Sequence, residues 1–262
     1  MLLYKPILRA ILAAGFLCGA MGTSLAGDYD AIDEAQDFAT GVPAVPSDSW
    51  TLSAGGRIYD NWWLALDVAE PEGAHPSYPE AGKKSGSTTW RCKECHGWDF
   101  QGVAGVYRGG SHYTGIIGIA GAAGTDEGAI AALMRDDVHG YSSEMISEDA
   151  MARLAAFVSR GQPDMAKYVD LETRKVIPGD IDRGRAIFQS VCAACHGFDG
   201  RFLDWGDTGD PAYIGTEAAA APDEVFNKIQ NAHPGEAMAN LRAFGPDTVG
   251  DVLTYVATLP TE

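Results

Sequence analysis

The sequence predicts an all-α protein made of two small helical domains in tandem. One five-residue frame, Cys-x-x-Cys-His, occurs at 92–96 and again at 192–196. Each half of the chain also ends in a stretch whose apolar residues recur at the i, i+3, i+4 and i+7 spacing of an amphipathic helix. The apolar positions are Met151, Leu154, Ala155 and Val158 in one half and Val249, Val252, Leu253 and Val256 in the other. A plan that occurs twice indicates an internal duplication.

The composition narrows the class of protein. The chain has 262 residues, with 19 Lys+Arg against 36 Asp+Glu and a formal net charge of −17. Its 46% of hydrophobic residues suffices for globular cores, and its 21% of charged residues is below a disordered composition. Nucleic-acid binding needs clustered Lys and Arg to neutralise phosphates. We therefore expect no nucleic acid among the partners.

Residues 1–26 have the features of an export signal. Lys5 and Arg9 precede an apolar stretch at 11–21, and a small-x-small cleavage site follows at 24–26. A membrane span needs about 20 residues, more than the apolar part provides, so cleavage is favoured over retention as an anchor. Removal of Lys5 and Arg9 takes the formal net charge from −17 to −19. The sequence predicts a periplasmic protein, whose membrane contact would come from docking to a membrane complex or from an uncleaved anchor.

Beyond the signal, every cysteine belongs to one of the two frames: Cys92, Cys95, Cys192 and Cys195. A disulfide within so short a frame would be strained, a thioredoxin-like pair needs a βαβ context, and zinc needs further ligands nearby. Cys-x-x-Cys-His is the frame of covalent haem attachment, in which the histidine presents its imidazole to the iron. We expect two covalently bound haem c groups, with His96 and His196 as iron ligands.

The segment around the second frame resembles a known family. Gly184-Arg185-Ala186-Ile187-Phe188, followed by the frame at 192–196 and Gly197, is similar to the opening of a class I cytochrome c domain. In that family a helix with a glycine and an aromatic residue leads into the haem frame, and a C-terminal helix crosses it. The resemblance implies a dihaem c-type cytochrome in which each helical domain encloses one haem.

The first copy of this plan contains an insertion. When Gly56-Arg57-Ile58-Tyr59 is paired with Gly184–Phe188, the first copy has about 28 extra residues before its frame. The insertion is rich in proline and glycine, and we expect an irregular surface segment. The predicted organisation is an extended N-terminal segment at 27–54, domain one at 55–161, a linker at 162–179 and domain two at 180–262.

The sixth iron ligand affects the potential of each haem, because methionine raises it relative to a second histidine. In domain two the resemblance favours Met238, in the loop before the last helix, with His233 as the alternative. In domain one Met134 and Met151 fall on apolar helix faces and are predicted to be core residues. Met145 matches the position that the family uses, with His139 as the alternative. The resemblance further suggests that the Pro211 carbonyl accepts a hydrogen bond from His196.

These features favour an electron-transfer protein over an enzyme, because filled axial positions leave no substrate site at the iron. We therefore assign no catalytic residue. The alternatives are a dihaem oxidoreductase, peroxidase-like or oxidising sulfur compounds, and the electron-accepting subunit of such an enzyme. Known thiosulfate-oxidising dihaem enzymes use an extra cysteine, which this chain lacks. The acidic surface predicts a redox partner with a basic docking patch.

Overall fold

The computed structural model describes residues 39–262, so the predicted signal peptide and residues 27–38 lie outside the described part. The described chain is largely helical. Its strands form one small antiparallel hairpin of β1 (Val169–Asp170) and β2 (Lys175–Val176). This confirms the predicted all-α class. Within residues 39–262 no helix is long and apolar enough to cross a membrane.

The N-terminal half, residues 48–161, contains α1 (Asp48–Leu66), α2 (Cys92–His96), α3 (Glu127–Met134) and α4 (Glu148–Ala156). A π-helical segment, Phe157–Gly161, continues α4, and short 3₁₀ turns cover Gly86–Trp90, Gly110–His112 and Ala120–Ala122. Ser147 caps α4 by accepting a hydrogen bond from the Ala150 N–H. Residues 67–85 have neither helix nor strand and connect α1 to the first 3₁₀ turn.

The start of α1 differs from the prediction. Residues 27–54 were expected to be extended, but α1 begins at Asp48, so residues 48–54 are helical. The Ser47 side chain accepts a hydrogen bond from the Trp50 N–H, and Asp48 places a negative charge in the first turn. The buried side chain of Leu52 then packs this turn against the core.

The C-terminal half, residues 162–262, begins with a 3₁₀ turn, Met165–Lys167, and the β1–β2 hairpin. Its helices are α5 (Ile181–Ile187), α6 (Ala193–His196), α7 (Ile214–Ala220), α8 (Pro222–Asn231) and α9 (Pro246–Val256), with a π-helical segment at Phe188–Cys192 and a 3₁₀ turn at Arg242–Phe244. Tyr168, in the predicted linker, stacks on Phe226 and donates a 2.7 Å hydrogen bond to Asp247. The linker is therefore packed against α8 and α9.

A glycine lies at a helix crossing in each half. Helix α1 crosses α4, and α5 crosses α9. A Cβ atom at Gly55 would overlap the carbonyl oxygen of Arg153 in α4, and a Cβ atom at Gly184 would overlap that of Asp251 in α9. Because glycine has no Cβ, the two backbones can touch at each crossing.

An aromatic pair accompanies each crossing. The pairs are Tyr59–Phe157 and Phe188–Tyr255, with ring centroids 5.6 Å and 5.5 Å apart. Tyr59 lies four residues after Gly55, and Phe188 lies four residues after Gly184. Gly55, and not Gly56, therefore corresponds to Gly184. The predicted pairing of Gly56 with Gly184 is therefore wrong by one residue. Gly56 instead packs against the side chain of Asn231, at the contact with the C-terminal half.

The buried carboxylate of Asp60 joins the two halves. It accepts hydrogen bonds from Arg91 in its own half and from Lys228 of α8 in the other. Burial alone would raise the pKa of Asp60, but the charges and hydrogen bonds of Lys228 and Arg91 bring that pKa below its ordinary value. The carboxylate is therefore ionised and paired at neutral pH.

Hydrogen bonds to backbone carbonyls extend the contact between the halves. The pairs are Ser53 Oγ to Asn231 O at 2.9 Å, Asn227 Nδ2 to Trp98 O at 2.8 Å and Arg242 Nη1 to Gly161 O at 3.0 Å. Several donors and acceptors at this contact are buried, so separating the halves would leave them without partners.

The glycine crossings predict a test of packing. Gly55→Ala and Gly184→Ala should each lower the free energy of unfolding by roughly 1–3 kcal/mol or more, since the added methyl group has no space. Gly121→Ala is the control, because a Cβ atom there has no neighbour within 4 Å. Urea-induced unfolding measures the three variants. Equal stability of all three would contradict the crossing.

The Asp60 pair predicts a pH dependence of stability. Asp60→Asn should cost roughly 3–5 kcal/mol at neutral pH, because it leaves the Lys228 charge without its carboxylate. Since the folded pKa of Asp60 is lowered, its contribution is present above about pH 4, the ordinary carboxyl pKa, and is lost as the pH falls through the folded pKa. The difference between the two proteins should therefore shrink in acid.

Urea unfolding of both proteins across a pH series measures this difference. Asp182→Asn is the control, because the Asp182–Arg185 pair is exposed and such pairs contribute about 0–1 kcal/mol. A difference between wild type and Asp60→Asn that stays constant from neutral pH into acid would contradict the assignment.

Candidate functional site

The first frame folds as one short helix. Helix α2 begins at Cys92 and ends at His96, and Gly97 follows with a positive φ of 82°. Both thiols are free. Burial raises the pKa of Cys92 to about 11 and that of Cys95 to about 12. Reactive dithiols of redox enzymes have a lowered thiol pKa, so the environment argues against a thioredoxin-like role.

The crossing of α1 with α4 connects directly to this frame. Tyr59, one turn after Gly55, lies against Phe157 and donates a 2.7 Å hydrogen bond from its hydroxyl to the Gly97 carbonyl. Tyr141 makes a second link, because its hydroxyl donates to the Trp90 carbonyl at 2.8 Å. The frame is thus held at both ends by buried tyrosines.

The orientation of His96 comes from a backbone carbonyl. His96 Nδ1 lies 2.8 Å from the Ile117 oxygen, and since a carbonyl only accepts, Nδ1 carries the proton. Burial lowers the pKa of His96 and favours the neutral imidazole. The remaining nitrogen, Nε2, then has a free lone pair, which is the arrangement of a metal-ligating histidine. The role of Ile117 could not be predicted from the sequence, because every residue type has a main-chain carbonyl oxygen.

A second imidazole lies opposite. The rings of His96 and His139 have centroids 6.4 Å apart and planes inclined by 23°. Two metal–imidazole bonds of about 2 Å, together with the distance from each nitrogen to its ring centre, account for this separation. The site therefore fits a haem iron, with the thiols of Cys92 and Cys95 available on the same helical turn as His96.

Three methionines of the N-terminal half have defined environments. Met134 and Met151 are buried in the hydrophobic core, which confirms the prediction for both. Met145 is half-buried and packs against that core. Its place as sixth ligand stays a prediction.

The second frame is more open than the first. Cys192 ends a π-helical segment, and α6 runs from Ala193 to His196. The rings of Phe188 and Trp205 flank the His196 ring at centroid distances of 6.4 Å and 5.9 Å. Large exposed apolar side chains lie nearby in the sequence: Phe198 and Phe202 are each 76% exposed and Trp205 is 52% exposed. Such a patch indicates a surface that binds an apolar group, and a porphyrin fits this description.

His196 differs from His96 in its second bond. His196 Nδ1 is buried and has no hydrogen-bond partner in the described part of the chain. The carbonyl of Pro211, expected to accept this bond, does not do so here. Met238 is half-buried in the loop between α8 and α9, and stays a predicted ligand of this site.

The alternative ligand His233 lies at the contact between the halves. Its Nδ1 is 3.0 Å from the Pro234 carbonyl. Burial and the charge of Lys228 lower its pKa, whereas Asp60 opposes this change. His233 is therefore in the environment of the Asp60–Lys228 pair.

The two residues between the cysteines of the first frame are unexpectedly buried. Lys93 and Glu94 form an ion pair, and His112 lies 3.0 Å from the second Glu94 oxygen. Burial would raise the pKa of Glu94, but His112 and Lys93 lower it to about 2. His112 thus pairs with a buried carboxylate.

Residues 179–256 match the family model described as cytochrome C oxidase, cbb3-type, subunit III. The matched segment contains the second frame and helices α5 to α9. The match supports an electron-transfer cytochrome of the c type and implies covalently bound haem c. Domains of this kind are typically exported. A search of curated proteins found no match. When bound, haem c supplies one-electron chemistry at its iron.

Proposed function

We propose that the protein is an exported dihaem cytochrome c that transfers electrons between periplasmic or membrane redox partners. Domains 55–161 and 180–262 would each enclose one haem c. One observation carries the proposal. Both Cys-x-x-Cys-His frames fold as helical turns that end at a histidine, and each follows a glycine crossing with its aromatic pair. The family match supports the second domain, and this repetition supports the first.

The chain's own residues determine what each centre can do. His96 and His196 are the proximal ligands, and a second protein ligand on each iron would leave no position for a substrate. Relay of electrons is therefore favoured over catalysis. The acidic surface suits a partner with a basic docking patch, and the rate of electron transfer to that partner across a salt series measures the contribution of steering.

Met238 is the proposed sixth ligand of the second centre. It lies in the loop between α8 and α9, and it is half-buried rather than part of a helix face. The competing residue, His233, is adjacent to the buried Asp60–Lys228 pair and bonded to Pro234. A thioether ligand stabilises ferrous iron and raises the potential relative to imidazole.

The number of haems tests the proposal. The full chain, produced with its signal in a host that matures c-type cytochromes, should carry two haems that resist acid-acetone extraction. Cys92→Ser with Cys95→Ser should lose one of them, and Cys192→Ser with Cys195→Ser should lose the other. The mass of the denatured protein counts them. A wild-type mass with a single haem would remove the dihaem proposal, and a mass with none would remove the cytochrome proposal.

The ligand of the second centre has its own test. Met238→His should lower one of the two reduction potentials and remove the Met-to-iron absorption of the second centre from the spectrum of the oxidised protein. His233→Ala is the control and should leave both potentials unchanged. A band that survives in Met238→His, together with a potential that moves in His233→Ala, would assign the ligand to His233 instead.

A further inference from the structure

We infer that His139 is the sixth ligand of the first centre, which would then be held by two imidazoles, and that the inserted segment positions this ligand through His75. The inference rests on the proposed function and adds to it a ligand set and a positioning residue. It starts from the nearly parallel rings of His96 and His139, whose centroids are 6.4 Å apart, the separation expected of two imidazoles bound to one metal ion.

The nitrogen available on His139 is Nε2. Its Nδ1 lies 3.2 Å from Asp136 Oδ1, the same oxygen that accepts the backbone N–H of His139 at 2.9 Å. The N–H of Val138 also donates to this oxygen, at 3.0 Å. One carboxylate therefore fixes both the loop backbone and the ring. A metal-ligating histidine commonly donates a hydrogen bond to a carboxylate from the ring nitrogen that does not bind the metal.

His75 holds the main chain of His139. The backbone N–H of Ser77 donates to His75 Nδ1 at 3.1 Å, so the proton of this ring is on Nε2. His75 Nε2 then donates to the His139 carbonyl at 2.9 Å. The His75 ring lies 4.3 Å from that of Trp90, close to the start of the frame, and its backbone N–H donates to Thr89 at 2.8 Å.

Residues 67–85, the part of the insertion without helix or strand, thus gain a function. His75 lies within this part and connects the turn before the first frame to the loop that carries His139. Domain two lacks the corresponding segment and has only a short stretch between Gly184 and Cys192. We therefore attribute the different ligation of the two centres to the insertion.

The competing residue, Met145, has another role in the structure. It is half-buried against the core of the N-terminal half, where a thioether is an ordinary packing group. The neighbouring loop is fixed by Arg135, which donates to the carbonyls of Tyr141 at 2.9 Å and Ile146 at 2.7 Å. Ile146 is fully buried beside it.

The two centres should consequently differ in potential. Methionine raises the haem potential and a second histidine does not. With His139 in the first centre and Met238 in the second, the first centre is the stronger reductant. Electrons would then pass from domain one to domain two.

Carbon monoxide binding to the reduced full-length protein tests the ligand. Wild type should bind little carbon monoxide, His139→Ala should bind one equivalent, and Met145→Leu should behave as wild type. The haem count by mass is taken for each variant, so that a failure of the dihaem proposal is recognised separately. One equivalent bound by Met145→Leu, with none bound by His139→Ala, would overturn the inference.

His139→Met provides a second readout that keeps an iron ligand in place. This variant should raise the lower of the two reduction potentials and add a second Met-to-iron band to the spectrum of the oxidised protein. Unchanged potentials and an unchanged spectrum in a variant that retains both haems would overturn the assignment of His139.

The positioning role of His75 needs a separate comparison. His75→Ala should bind a partial equivalent of carbon monoxide, because the His139 loop loses its hydrogen bond. His75→Gln, which keeps an N–H donor, should restore the wild-type level. Tyr78→Phe is the control within the same inserted segment. If His75→Ala and wild type have the same spectra and the same carbon monoxide uptake, His75 does not position the ligand.

Discussion

The close contact of helix backbones at Gly55 and Gly184 is the constraint on which the rest of the structure depends. With no Cβ at the crossing, α1 lies directly on α4 and α5 directly on α9. The aromatic residue one turn later then contacts both the crossing helix and the frame. Tyr59 reaches Gly97 by a hydrogen bond, and Phe188 lies against the His196 ring. The position of the histidine in each frame therefore follows from how closely two helices pack.

The two halves differ in the groups that surround the frame. In the N-terminal half the frame is covered by tyrosines, by the Ile117 carbonyl and by the inserted segment. In the C-terminal half, His196 has no partner for Nδ1 among the described residues, and exposed aromatic side chains lie around it. The same local motif is therefore embedded in a closed polar network on one side and in a largely apolar surface on the other.

Local patterns made the helical class predictable and the two frames recognisable. The frames are contiguous in sequence, and the stripes of α4 and α9 follow helical periodicity, so both could be recognised without a structure. The start of α1 could not be predicted, because the capping residues Ser47 and Asp48 are not accompanied by a clear apolar pattern in the sequence. The glycine register was off by one residue because Gly55 and Gly56 are adjacent and only packing distinguishes them. The bonds to Ile117 and His139 could not be predicted, because they join main-chain carbonyls to residues far away in the chain.

The Asp60 carboxylate has a consequence for how the two proposed centres exchange electrons. Its cationic partners come from both halves, and neither charge is well exposed to water, so the halves cannot swing apart without leaving buried charges unpaired. The buried pairs therefore hold the two halves against each other. In the proposed dihaem protein, electrons would pass between the centres at a fixed distance, without a diffusive search of one half for the other.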